Sequence, residues 1–125
     1  MKELKLPEGY QTVMPYLILN NAMDFFEFTK KVFDAREKER YLNEDGSLMH
    51  GEVVIGGSTI MFGNASEQWK VQTAGLYVNV VNADKTFQKA IDSGSTVVQA
   101  MSDQSYGRSG GVKDPFGNVW WITTP

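Results

Sequence analysis

His50 and Glu52 are the residues whose types and spacing are best suited to chemistry. The only histidine of the chain stands two positions from a carboxylate, inside the run Leu48 to Ile55 that reads as a strand. Strand side chains alternate, so both project from one face with Cα atoms roughly 6.6 Å apart. A pair so placed serves as a general base whose tautomer the carboxylate sets, or as two ligands of an unusual metal site. It serves equally as a polar pair that satisfies neighbouring strands or water, and the sequence does not say which face of the sheet it occupies. Arg108, in the polar stretch Ser102 to Arg108, is a second candidate, able to clamp a carboxylate or phosphate through its forked guanidinium. The alternative for Arg108 is a solvated side chain among glycines.

Other chemistries are excluded. With no cysteine there are no disulfides, thiolate nucleophiles or cysteine-held metals. One histidine cannot choose among many serines for a catalytic triad. Asn43-Glu44-Asp45-Gly46 lacks the downstream carboxylate of a calcium loop, and Gly110-Gly111 lacks the helix a phosphate-binding glycine motif requires. The net charge of −3 from 12 basic and 15 acidic residues, without long like-charge runs, argues against nucleic acid or an anionic membrane as partner. Neither a signal peptide nor a membrane span is legible, so a cytoplasmic location is expected.

The elements that must position these residues follow from hydrophobic patterning. At 125 residues and 42% hydrophobic content, the chain suits a single domain with a real core. Thr12 to Leu19 reads as a strand. Asn21 is placed to cap a helix, with Ala22, Phe25, Phe26, Thr29, Val32 and Phe33 on one face. An extended polar segment, Arg36 to Asn43, precedes the strand Leu48 to Ile55, the Gly56-Gly57 turn and a strand from Ser58 to Phe62. Gly63 to Thr73 lacks periodicity and reads as a linker. Leu76 to Val81, a helix capped by Asn82 and ending at Gly94, and strands Thr96 to Met101, Gly110 to Lys113 and Asn118 to Thr123 then repeat the series. Asp114-Pro115-Phe116-Gly117 supplies the last turn, with Pro115 presetting φ and Gly117 free to take positive φ.

Asn21-Ala22-Met23-Asp24-Phe25-Phe26 and Asn82-Ala83-Asp84-Lys85-Thr86-Phe87 open the two helices 61 residues apart, so the chain reads as two copies of a βαβββ unit, roughly residues 12–63 and 74–124 of one domain spanning 1–125. These units and the closing Asp114-Pro115-Phe116-Gly117-Asn118-Val119-Trp120 resemble the vicinal oxygen chelate superfamily of glyoxalases, bleomycin-resistance proteins and extradiol dioxygenases. Met14-Pro15-Tyr16-Leu17, Val32-Phe33-Asp34-Ala35 and Met49-His50-Gly51-Glu52 look most like its PhnB-like branch. The resemblance implies an α+β fold: two cupped mixed sheets, helices on the outer faces and a small-molecule cavity on the concave side, often completed across a homodimer.

Carried over, the positions of the superfamily's metal ligands fall at Met14, Met61, Gly75 and Trp121, none of which suits a divalent ion. No metal or other cofactor is therefore expected. The cavity would be lined by Met14, Met61, Tyr77 and Trp121, with Tyr16, Thr59 and Asn79 as polar points and Arg108 at its edge; each is otherwise ordinary core or surface. Aromatic walls with a few polar groups suit planar or cationic ligands. The resemblance thus implies a metal-independent binding protein for a small molecule. The alternatives are a lyase or isomerase using His50 and Glu52, or a module whose cavity is filled by its own side chains.

Overall fold

The computed structural model describes residues 3–125. Residues 1–2 of the expected domain lie outside the described residues. Two copies of one arrangement follow each other. In the first, β1 (Tyr16–Leu19) leads into α1 (Met23–Phe33), then β2 (Arg36–Leu42), β3 (Leu48–Ile55) and β4 (Ser58–Asn64). In the second, β5 (Gly75–Asn79), α2 (Ala83–Asp92), β6 (Thr96–Gln104), β7 (Gly107–Lys113) and β8 (Val119–Thr124) repeat the order. Sheet A runs β1-β4-β3-β2 and sheet B runs β5-β8-β7-β6; each is mixed, its first strand parallel to its last and the rest antiparallel. This is the tandem βαβββ architecture expected.

Each helix covers one face of its own sheet. Phe25, Phe26, Phe28 and Val32 of α1 are buried with Leu17, Leu19, Val53 and Phe62 of sheet A, while Ala83 and Ala90 of α2 are buried with Val112, Trp120 and Ile122 of sheet B. Aromatic edges join the halves: Phe25 and Phe28 stand edge-on to Phe116, and Phe33 lies 4.4 Å from Trp120 between ring centroids. No helix among the described residues is long and apolar enough to cross a membrane.

The start of α1 departs from the sequence reading. Asn21 does not cap it: its backbone is left-handed, at φ 54°, and Ala22 takes the N-cap position ahead of Met23 with no local side-chain cap. Asn64, at the end of β4, accepts from the Ala22 amide at 3.0 Å instead. Thr124, at the end of β8, does the same for Ala83 at 2.8 Å. Each module thus supplies one free amide of its own helix from its last strand. At α2 the expected cap is present as well, Asn82 Oδ1 accepting from the Lys85 amide at 3.1 Å, and Gly94 takes its positive φ just past the helix end.

Two strand boundaries also differ. β1 begins at Tyr16 rather than Thr12, because Pro15 offers no amide and pairs only through its carbonyl, which accepts from Met61 N. The stretch Ser102 to Arg108 is a continuation of the β6–β7 hairpin rather than a loop. The final turn forms as expected and is held by one side chain. Asp114 Oδ1 accepts from the amides of Phe116 and Asn118 at 2.9 Å each, and Oδ2 accepts from Asn118 Nδ2 at 3.0 Å and Trp120 Nε1 at 2.7 Å.

Candidate functional site

The residue between His50 and Glu52 decides which face they occupy. A Cβ on Gly51 would lie 2.7 Å from Cζ of Phe26, so this position points at α1. Alternation then sends His50 and Glu52 to the opposite, concave face of sheet A. There Glu52 pairs in register with Met61, and Met61 with Tyr16, placing a phenol on β1 and the acid–imidazole pair on β3 across the intervening strand β4. Gly63, next along β4, adds no side chain between them; a Cβ there would meet the Met49 carbonyl at 2.7 Å and the Tyr16 hydroxyl at 3.7 Å.

These groups form a continuous hydrogen-bonded chain. His50 Nε2 lies 2.7 Å from Glu52 Oε2, and His50 Nδ1 lies 3.0 Å from the Tyr16 hydroxyl. The Tyr10 hydroxyl donates to both Glu52 oxygens, at 2.7 and 2.9 Å. With a neutral imidazole the network assigns the tautomer: Nε2–H donates to Glu52, and Nδ1 accepts from Tyr16. The oxygen of Tyr16 then turns its lone pairs outward as an acceptor. The Tyr41 ring stands 6.3 Å from that of His50, and its hydroxyl donates to Glu39, the residue opposite Glu52 on β2.

All three phenols stay protonated at neutral pH. Tyr10 is pushed up to about 12, chiefly by its hydrogen bond to Glu52 and then by burial. Tyr16 is raised mainly by burial and secondarily by the Glu52 charge, and Tyr41 mainly by its bond to Glu39. None of them is poised as a phenolate base.

Tyr10 belongs to the segment ahead of Thr12, where hydrophobic patterning marks no element. This segment straps the concave face of sheet A. Gly9 O accepts from Thr59 Oγ1 at 2.6 Å, Glu8 O accepts from Lys38 Nζ at 2.6 Å, and Gln11 Nε2 donates to Gly57 O at 3.0 Å. Lys38 also sits 4.1 Å above the Tyr10 ring. The strap leaves Glu52 only 3% exposed and Thr59 fully covered.

Beyond the strap the face opens into a cleft of about 980 Å³, lined by Tyr16, Ile18, Met49, His50, Asp45 and Trp69 among others. Trp69 lies in the supposed linker Gly63 to Thr73. That segment is fixed: Ile18 and Gln72 exchange backbone hydrogen bonds of 3.0 and 2.9 Å, and Ser66 and Trp69 close a turn through Ser66 N to Trp69 O and Trp69 N to Ser66 Oγ. The indole is held beside β1 yet stays 59% exposed. A lone tryptophan in an otherwise polar linker was the one sequence signal for it. Asp45, on the rim, accepts from Ser47 Oγ and N, bonds that hold its carboxyl below the usual carboxylate range.

The other expected lining residues are dispersed. Thr59, Tyr77 and Asn79 border a different cleft, of about 1070 Å³, between the modules. Met61 and Trp121 share the concave faces but line neither cleft, and Trp121 lies over Gly111, where a Cβ would be 2.5 Å from its ring. Met14 precedes β1 and lines neither cleft. Arg108 is drawn away from the concave faces: it shares a face of β7 with Gly110, which points at Phe87 of α2. Its guanidinium pairs with both oxygens of Asp84 at 3.1 Å and with Asp103 at 3.3 Å. Asp84 is held low by that hydrogen bond, and Arg108 is raised by it.

Register also compares the two concave faces. Where Met61 is flanked by Tyr16 and Glu52 in sheet A, Trp121 is flanked by Tyr77 and Gly111 in sheet B. The superfamily's metal does not fit the residues at its positions. Met14, Met61, Gly75 and Trp121 offer thioethers, no side chain and an indole, and among the described residues no three His, Cys, Asp or Glu side chains converge on a point.

Comparison with known proteins places this geometry. Residues 13–122 match the model of the Glyoxalase/Bleomycin resistance protein/Dioxygenase superfamily. An uncharacterised protein of Mycobacterium bovis is 35% identical over 123 residues, covering 89% of this chain and 81% of the relative. The crystal structure of TioX from Micromonospora sp. ML1 superposes with a TM-score of 0.73 at 22% identity, covering 92% of this chain and 96% of that one. TnmS3 from Streptomyces sp. CB03234, an antibiotic binding protein, superposes with a TM-score of 0.70 at 14% identity over 93% and 99% of the two chains.

Proposed function

The chain belongs to the glyoxalase/bleomycin resistance protein/dioxygenase superfamily, and on that footing we propose that it is a small-molecule-binding protein working without the superfamily's metal, with its ligand seated in the cleft over sheet A. The observation that carries this reading is the aromatic lining of the cleft, Trp69 and Tyr16, both exposed to a ligand. Both ring nitrogens of His50 are engaged, and the group presented to the cleft is a neutral phenol beside an exposed indole. Such a site offers a ligand stacking faces and a hydrogen-bonding hydroxyl. TnmS3 puts the same fold to antibiotic binding, so antibiotics with planar parts are the first compounds to screen. A compound that raises the Tm of the wild-type protein should lose most of that stabilisation in Trp69→Ala and Tyr16→Phe. Equal stabilisation in both variants would remove the ligand from this cleft.

The 2.7 Å contact between His50 and Glu52 favours a second reading, a lyase or isomerase using this pair. It requires a substrate that displaces the Tyr16 hydroxyl from Nδ1. A compound consumed by the wild type and merely bound by His50→Ala would replace the first reading with this one. We further propose a cytoplasmic homodimer of the PhnB-like kind. The exposed Tyr77, Val97 and Val98 of sheet B support a covered face, and light scattering at micromolar concentration tests it.

A further inference from the structure

We propose that the cleft over sheet A selects organic cations: a protonated amine or quaternary ammonium carried on a flat apolar body. This rests on the reading of that cleft as the ligand seat and adds the charge of the ligand. No lysine or arginine lines the cleft, whose titratable groups are Asp45, His50 and the Tyr16 phenol, which stays neutral. Asp45 is kept ionised by Ser47, Glu52 stands directly behind His50, and Glu39 lies opposite Glu52 on β2. Two basic side chains of β2 are engaged elsewhere. Lys38 is held against the strap, donating to the Glu8 carbonyl and lying over the Tyr10 ring, and Arg40 lies 4.3 Å above the Phe26 ring while pairing with Glu37. No basic side chain among the lining residues therefore awaits a carboxylate or phosphate, whereas three carboxylates in or behind the cleft bias the space toward positive charge. Hydrogen-bond polarity agrees: the Tyr16 oxygen, its proton given to His50, is an acceptor facing the cleft and suits an N–H donor. The exposed faces of Trp69 and Tyr16 suit a cation as well.

The test is a titration of the intact protein with three probes sharing one ring system, 1-naphthylmethylammonium, 1-naphthylmethanol and 1-naphthoate. The readout is the indole N–H resonance of Trp69, assigned with a Trp69→Phe variant. The expected result is a saturable shift, with the ammonium binding about tenfold more tightly than the alcohol and the naphthoate weakest. That advantage should shrink in Asp45→Asn, a rim substitution that spares the core, and again with added salt. An alcohol that matches the ammonium, or a naphthoate that binds better, would overturn the charge preference while leaving the cleft a ligand seat. Absence of any Trp69 shift with all three probes would overturn the seat and the preference together.

Discussion

Asp114 tests how the most conspicuous sequence motif works. Its carboxylate is 4% exposed and accepts four hydrogen bonds, two from turn amides and two from the side chains of Asn118 and Trp120, which are 0% and 1% exposed. In Asp114→Ala the amide of half-buried Phe116 can turn to water, but three buried donors lose their acceptor. At roughly 1 to 2 kcal/mol for each orphaned buried donor, the loss comes to about 4 kcal/mol. With an unfolding entropy of about 2.1 cal/mol/K per residue, that is a fall in Tm of about 15 °C. Asp114→Asn keeps one oxygen for the turn amides and sets an amide nitrogen against two donors, so about half the loss is expected. Urea unfolding followed by tryptophan fluorescence, at one protein concentration, gives both values. A loss below about 1 kcal/mol in Asp114→Ala, with an unchanged m-value, would refute the view that this carboxylate holds the last hairpin.

Two further outcomes follow from the same geometry. Gly51→Ala would place a methyl 2.7 Å from Phe26, 2.9 Å from Leu48 and 3.0 Å from Phe62; overpacking this contact should cost about 2 kcal/mol, seen as a lower Tm with native circular dichroism retained. Tyr10 favours its neutral form in the fold, so what its bond to Glu52 contributes is complete below pH 10 and is lost as pH rises toward about 12. Tyrosinate absorbance should show a phenol titrating toward about pH 12 that is missing in Tyr10→Phe, with the strap becoming protease-sensitive over that same window.

What the sequence made legible was what local pattern encodes. The α1 stripe of Phe25, Phe26, Val32 and Phe33, the Asn82 cap and the Asp114 to Gly117 turn are written in residues within a helical turn or a hairpin of one another. The missed parts lie where partners are remote or both strand faces are wet. Tyr10 reaches Glu52 across 42 positions, and Asn64 supplies the start of α1 from as far away, so no window on Asn21 could reveal the substitute. Ser102 to Gln104 extend the outermost strand of sheet B, with no alternation of apolar residues to mark them. Trp69 is fixed only by a bridge to Ile18, made after β1 and the segment meet in space. The side taken by His50 and Glu52 depended on Gly51, whose missing side chain is legible only once Phe26 is seen above it.

The two concave faces share a backbone symmetry that their side chains break. The strap crosses only one of them, and the neighbour of Trp121 that corresponds to Glu52 is a glycine. A molecule fitted to the acid–imidazole–phenol array meets that array once, so saturation should come at one equivalent per chain despite the internal duplication. In a twofold assembly each chain would bring a complete array of its own, and two such seats would fill as independent equals unless the contact between the copies couples them. The stoichiometry is set by divergence between the halves of one chain rather than by the number of halves.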